Sequence, residues 1–292
     1  MRRLPLALAA VVAASLLVSP AAVATDTAGP TAYSSYVALG DSFTSGSLIP
    51  HQVDLPCTRS NRNYPSLVAD SLGVAAFTDV SCGGATTEDM TRPQWGIVNA
   101  PQFTALRPDT ELVTVGIGGN DVPFVEVLVT CGLLGVARPS GAPCRHHYNS
   151  GGSDLLAERV HAVGPKVGDV LRGIRARSPG AHVVLVGYPV LLPDSGANCW
   201  PLVPISAGDA PYLRDITKLL NGVMAEQAAA HGATFVDTYT SSIGHDMCQA
   251  PGVRWVEGIL PGSVAAPVHP NALGARNQAA RVLASLGATA AA

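Results

Sequence analysis

Four short fragments of the chain hold groups suited to chemistry at a carbonyl. Ser42 stands in Leu39-Gly40-Asp41-Ser42-Phe43, at the end of the apolar run Tyr36-Val37-Ala38-Leu39. A serine on a turn at the carboxyl edge of a sheet can face a cleft with its hydroxyl. Ser and Asp are also good helix N-caps, so a nucleophile and a cap both fit this fragment. Gly118-Gly119-Asn120-Asp121 follows the apolar run Leu112 to Ile117. Its glycines allow close backbone approach, and the Asn120 amide is a neutral donor that can point at a developing oxyanion. An ordinary Gly-Asn turn has the same composition. Ser81-Cys82-Gly83-Gly84-Ala85-Thr86 offers a free N–H or simply a bend. Pro267-Val268-His269-Pro270-Asn271 puts a candidate general base between prolines, and Asn271 is suited to cap the helix that follows.

The elements that must position these groups can be read from periodicity. Strand candidates are Tyr36 to Leu39, Ala76 to Val80, Leu112 to Ile117, Val183 to Val186 and Thr234 to Val236. Between them, Leu213, Ile216, Leu220, Met224 and Ala228 recur every three or four residues, and His231-Gly232 supplies a stop signal. Leu155 to Arg177 and Leu273 to Leu286 are two further helical stretches. Strands alternating with helices predict an α/β fold with a parallel sheet. Ile49 to Arg62, Cys131 to Ser153 and Leu191 to Pro211 are rich in Pro, Gly and Ser, show little periodicity, and are expected to be long loops at the strand ends.

Of 292 residues, 47% are hydrophobic and 13% charged, against a usual charged share of roughly 25%. With 30 Gly and 23 Pro scattered without a period, the chain can build a full core and is neither disordered nor collagen-like. A net charge of −3 without a basic tract argues against a nucleic-acid partner. Arg2-Arg3, the apolar run Leu4 to Val18 and Ala22-Val23-Ala24 read as a signal peptide over residues 1–24, leaving 25–292 as one secreted, extracellular domain. The run is too short for a bilayer span, and no later segment suits a permanent membrane anchor. Six cysteines, Cys57, Cys82, Cys131, Cys144, Cys199 and Cys248, fit an oxidising compartment. Of fifteen pairings, the sequential one (57–82, 131–144, 199–248) closes three separate loops without threading and is expected here. A metal site from Cys131, Cys144, His146 and His147 is the alternative, with a spacing that matches no usual zinc knuckle.

The order Ser, Gly, Asn, His over Gly40 to Asn271 resembles the SGNH hydrolases, also called the GDSL family. The resemblance implies a three-layer α/β/α fold around a mainly parallel sheet. It implies Ser42 as nucleophile, His269 as general base, and the Ser42 and Gly84 N–H groups with Asn120 as the oxyanion hole; no metal or organic cofactor is implied. Gly187-Tyr188-Pro189, His269-Pro270-Asn271-Ala272-Leu273-Gly274 and the six cysteines look like secreted bacterial lipases and phospholipases of this family. The implied protein is a monomeric secreted ester hydrolase acting on a lipid or acyl ester: a lipase on acylglycerols, with phospholipase A1 or a carbohydrate-acetyl esterase as alternatives. A non-enzymatic binding module should lack one of the four groups, and all four are present. An ordinary α/β-hydrolase would need G-x-S-x-G, which this chain lacks. Two positions depart from the family pattern. Phe43 replaces the Leu of G-D-S-L. Ala266 stands where many members carry an Asp three residues before the histidine, so the main-chain carbonyl of Ala266 is expected to orient His269. Glu257 and Asp246 are the alternative acids. Asp41 is expected to brace the nucleophile turn, and Trp95, Trp200 and Trp255 are candidates for an acyl groove or for packing.

Overall fold

The computed structural model describes residues 33–96 and 99–289; the expected signal peptide lies outside them. Five strands form one parallel sheet: β1 (Ser35–Gly40), β4 (Ala76–Asp79), β5 (Leu112–Gly116), β6 (His182–Val186) and β7 (Thr234–Val236), in the order β4-β1-β5-β6-β7. A two-stranded antiparallel hairpin, β2 (Gln52–Asp54) with β3 (Arg59–Ser60), interrupts the first expected loop. The helices are α1 (Ser42–Ser45), α2 (Tyr64–Leu72), α3 (Phe124–Ala137), α4 (Pro143–Tyr148), α5 (Leu155–Arg177), α6 (Asp209–Ala230) and α7 (Ala272–Ser285).

The continuous apolar runs follow from burial on both sheet faces. Val37, Leu39, Val113, Val115, Val183 and Leu185 point into one cluster with α5 and α6. The alternate residues Tyr36, Ala38, Val184 and Val186 pack with Tyr64 and Val68 of α2 and Val282 and Leu283 of α7 on the other face. The result is the expected three-layer α/β/α arrangement.

Strand order also fixes where a site can form. The chain leaves β1 for β4 on one side, then returns for β5 on the other, so the direction of winding reverses between β1 and β5. Crevices outside the carboxyl ends of such a strand pair are where open α/β sheets bind ligands. Ser42 follows β1 and Asn120 follows β5.

The disulfides are Cys57–Cys82, Cys131–Cys144 and Cys199–Cys248, the sequential pairing. Because Cys131 and Cys144 are bonded to each other, neither is a thiolate ligand for the metal alternative. The expected loop from Cys131 is corrected in part: Cys131 to Ala137 completes α3, and α4 follows. Helix α3 escapes periodicity because its outer face is as apolar as its inner one. No helix among the described residues is long and apolar enough to cross a membrane.

Candidate active site

Ser42 is placed by a turn that requires glycine at position 40. Gly40, at φ +147°, ends β1, and a side chain there would fall 2.4 Å from Thr44 Oγ1 and 2.6 Å from the Gly116 oxygen. The Asp41 N–H then donates to Gly116 at 3.0 Å, and the Asp41 carboxylate caps α1 by accepting the Phe43 N–H at 2.9 Å. Asp41 is the expected brace. Its other oxygen accepts the Tyr188 hydroxyl at 2.5 Å, and that hydroxyl accepts the Gly119 N–H at 2.8 Å. One tyrosine thus ties the Ser42 turn after β1 to the glycine segment after β5. Burial pushes Asp41 up to about 7, against the lowering effect of the bonds from Tyr188 and from the Phe43 and Thr44 N–H groups.

The Ser42 hydroxyl meets His269 Nε2 at 2.8 Å. On the far side of the ring, Nδ1 lies 2.7 Å from the carbonyl oxygen of Pro267. A carbonyl only accepts, so Nδ1 carries the proton, and in the neutral ring Nε2 is left to accept from Ser42. This corrects the expectation for Ala266, whose carbonyl instead accepts the backbone N–H of His269 at 3.3 Å. The reason is the backbone at Val268, held at φ +64°, a left-handed conformation that is costly for a β-branched residue. That reversal aims the carbonyl two residues upstream, not three, at the ring. A clamp maintains it: Val268 donates to the Glu257 carbonyl at 3.0 Å, Glu257 donates to the His269 carbonyl at 2.9 Å, and Ala266 donates to Ser47 at 2.9 Å.

Neither alternative acid touches the imidazole. Asp246 accepts from the Cys248 N–H and from Gln249. The Glu257 carboxylate is buried behind the histidine loop, paired with Arg254 at 2.7 Å and accepting from the Gly262 N–H, Ser263 and Asn271. Burial alone would raise its pKa, but the bonds from Asn271, Ser263 and Gly262 and the Arg254 charge outweigh it and hold the carboxyl below its ordinary value. Asn271 also caps α7, accepting the Leu273 and Gly274 N–H groups. Burial lowers the His269 pKa, partly offset by the Pro267 carbonyl bond. Phe43 lies with its ring 5.0 Å from the His269 ring and 5.1 Å from that of Tyr188, so the departure from Leu adds an aromatic wall to both.

Asn120 donates one amide hydrogen to the Ala85 carbonyl at 2.9 Å, which leaves the second free and fixes the amide beside the Gly84 turn. Gly84 is at φ +74°, and its turn is fastened on three sides: Cys82 N–H to Gly40, Gly83 N–H to Cys57, and Gln94 Nε2 to the Gly83 carbonyl. Asp121 holds the next turn by accepting the Thr87 N–H at 3.0 Å and hydroxyl at 2.6 Å. Among the described residues the Ser42 and Gly84 N–H groups donate to nothing. The pocket beside Ser42 and Asn120 is walled by Phe43, Phe124, Val125, Leu191 and Leu220. None of the tryptophans lines it. Trp95 stands at the edge of the Gly84 turn, Trp200 is beside the Cys199–Cys248 bridge, and Trp255 stacks on His245. Sequence reasoning missed the positioning parts played by Tyr188, Asp121 and Gln94; Gly187-Tyr188-Pro189, directly after β6, and Asp121 at the end of Gly118-Gly119-Asn120-Asp121 gave a signal, Gln94 none.

Residues 38–276 match the model of the GDSL-like lipase/acylhydrolase family. The chain is 44% identical over 257 residues to lipase 2 of Streptomyces coelicolor, covering 86% of this chain and 85% of that one. Among solved structures it is similar to phospholipase A1 from Streptomyces albidoflavus, with a TM-score of 0.71 and 30% identity over 87% of this chain and 99% of that one. It is also similar to an extracellular lipase from Streptomyces rimosus, at 0.70 and 29% over 86% and 99%. The chain therefore belongs to the GDSL-like lipase/acylhydrolase family, with its SGNH-hydrolase fold, and is a carboxylic ester hydrolase.

Proposed function

We propose that this chain is a secreted lipase that hydrolyses acylglycerols through a Ser42–His269 dyad, with the Pro267 carbonyl in place of an acid. The observation that carries the reading is the 2.8 Å contact between Ser42 Oγ and His269 Nε2 beside an apolar pocket. Ser42 Oγ attacks the ester carbonyl while Nε2 takes its proton. The resulting oxyanion is held by the Ser42 and Gly84 N–H groups and the free Asn120 amide hydrogen. Nε2 then gives the proton to the leaving alcohol, water attacks the acyl-serine with His269 again as base, and Ser42 is regenerated. The Pro267 carbonyl fixes the tautomer and ring orientation but brings no full negative charge to the imidazolium.

Secretion is supported by the leader pattern of residues 1–24, the three disulfides, and the extracellular relative from S. rimosus. Residues 25–292 then form one mature domain. The similarity to a phospholipase A1 gives a second reading in which the same groups cleave an acyl chain from a glycerophospholipid.

One experiment separates these readings and tests the base: p-nitrophenyl esters from acetate to palmitate, with triolein and phosphatidylcholine, followed across pH. Turnover of long-chain esters and triolein is expected. Activity confined to phosphatidylcholine favours the second reading, and activity confined to acetate overturns both. A protonated imidazole cannot take the serine proton, so the rate falls as pH drops through the His269 pKa. Since burial lowers that pKa, the rising limb of kcat/KM should have its midpoint below the ordinary histidine value of about 6.5. A midpoint well above it would contradict a buried, uncharged partner arrangement.

A further inference from the structure

Among the described residues nothing packs on the outer face of α3, although its inner face is seated firmly. Cys131 is bonded to Cys144, and a side chain at Gly135 would fall 2.0 Å from the Pro204 oxygen, so the helix lies tight against the 203–206 segment. On the solvent side Val125, Val129, Leu133 and Val136 are 49%, 58%, 70% and 61% exposed. At 100° per residue these four fall within an arc of about 80° and run for roughly 16 Å. The only ionisable side chain of α3 is Glu126, exposed near the site end.

Two features indicate what covers this stripe. It is continuous with the active site: Val125 both opens the stripe and lines the pocket beside Ser42 and Asn120. Trp95, 56% exposed, flanks Gly84 on another side of the same groups. At the far end of the stripe Arg138 follows α3 directly, is exposed, and has no carboxylate partner among the described residues. A rigid apolar ridge with a cationic end suits a helix lying in the plane of a lipid surface, its apolar face among acyl chains and the Arg138 guanidinium at anionic headgroups. We propose that the Val125–Val136 face of α3 docks the enzyme on the surface of aggregated lipid, so that an acyl chain enters the pocket from that surface. The inference rests on the lipid-ester reading of the site.

The test uses the full mature chain carrying Ser42→Ala, so that binding is read without turnover. It should co-sediment with phosphatidylcholine vesicles, and more tightly when they contain phosphatidylglycerol. The double variant V129Q/L133Q, altered only at exposed positions outside the pocket, should bind at least tenfold more weakly. In the Ser42 enzyme the same pair of changes should leave hydrolysis of dissolved p-nitrophenyl butyrate and thermal unfolding unchanged while lowering hydrolysis of dispersed triolein. Equal vesicle binding by parent and double variant overturns the proposal. So does a parent that ignores vesicles, or one that is a dimer in solution which V129Q/L133Q dissociates. Vesicle binding by a chain that hydrolyses no lipid ester would instead remove the functional reading and leave the surface standing.

Discussion

Ser42→Ala is expected to leave only background ester hydrolysis, a fall on the order of 10⁶ in kcat, as when a serine protease loses its nucleophile. The fold should be unchanged. The Ser42 carbonyl still accepts the Gly46 N–H, and the Asp41 cap of α1 uses no serine atom. The one side-chain bond removed is that to His269 Nε2, which lies at a cleft that water can reach. His269→Ala should cost about as much, and the double variant little more than either, because the two act as one proton-transfer unit. Near-normal kcat in either folded single variant would mean that other groups carry the reaction.

Asn120→Ala is expected to lower kcat by about 10²–10³ with little change in KM, the usual effect of losing one oxyanion donor. The backbone should hold its place, since Asp121 still binds Thr87 and Tyr188 still binds the Gly119 N–H. What disappears is one donor aimed where negative charge develops, and with it the tie to Ala85. Asn120→Asp should be worse than alanine, because a carboxylate would face the oxyanion with like charge. Equal activity of Ala and Asp variants would place Asn120 outside the oxyanion hole.

Strands β1, β5 and β6 were legible because each is buried on both faces and reads as a nearly unbroken apolar run. The edge strands β4 and β7 are partly exposed and showed only as short runs around Phe77 and Phe235. Helices α5, α6 and α7 were legible from their amphipathic period. Helix α3 was not, since an outer stripe of Val and Leu erases that period, and the same stripe is what makes its surface informative. The short α2 was also missed, although Asn63 caps it and Gly73 ends it at φ +62°. Four fragments scattered over the chain gave the nucleophile, base and oxyanion candidates only together. Each alone also fits a cap, a turn or a bend, and it was their order, Ser42, Gly84, Asn120, His269, that matched the family pattern. The histidine's orienter was not legible. Which carbonyl reaches Nδ1 depends on φ at Val268, and a valine gives no warning of a left-handed conformation. The buttress behind it was equally hidden: Glu257 was weighed as a catalytic acid, whereas its carboxylate fastens Arg254, Ser263 and Asn271 beneath the loop. For that reason Glu257→Ala would disturb the histidine through the backbone and says little about charge at Nδ1.

The central claim is that Ser42 is the attacking group, made nucleophilic by His269. A p-nitrophenyl alkylphosphonate tests it most directly: an activated serine displaces p-nitrophenolate from phosphorus and keeps a stable tetrahedral adduct. Intact mass and peptide mapping should show one adduct per chain, on Ser42, with loss of esterase activity in proportion. The adduct should be absent in Ser42→Ala and form far more slowly in His269→Ala. An adduct on any other residue, or an enzyme that hydrolyses esters yet takes no label, would contradict the account.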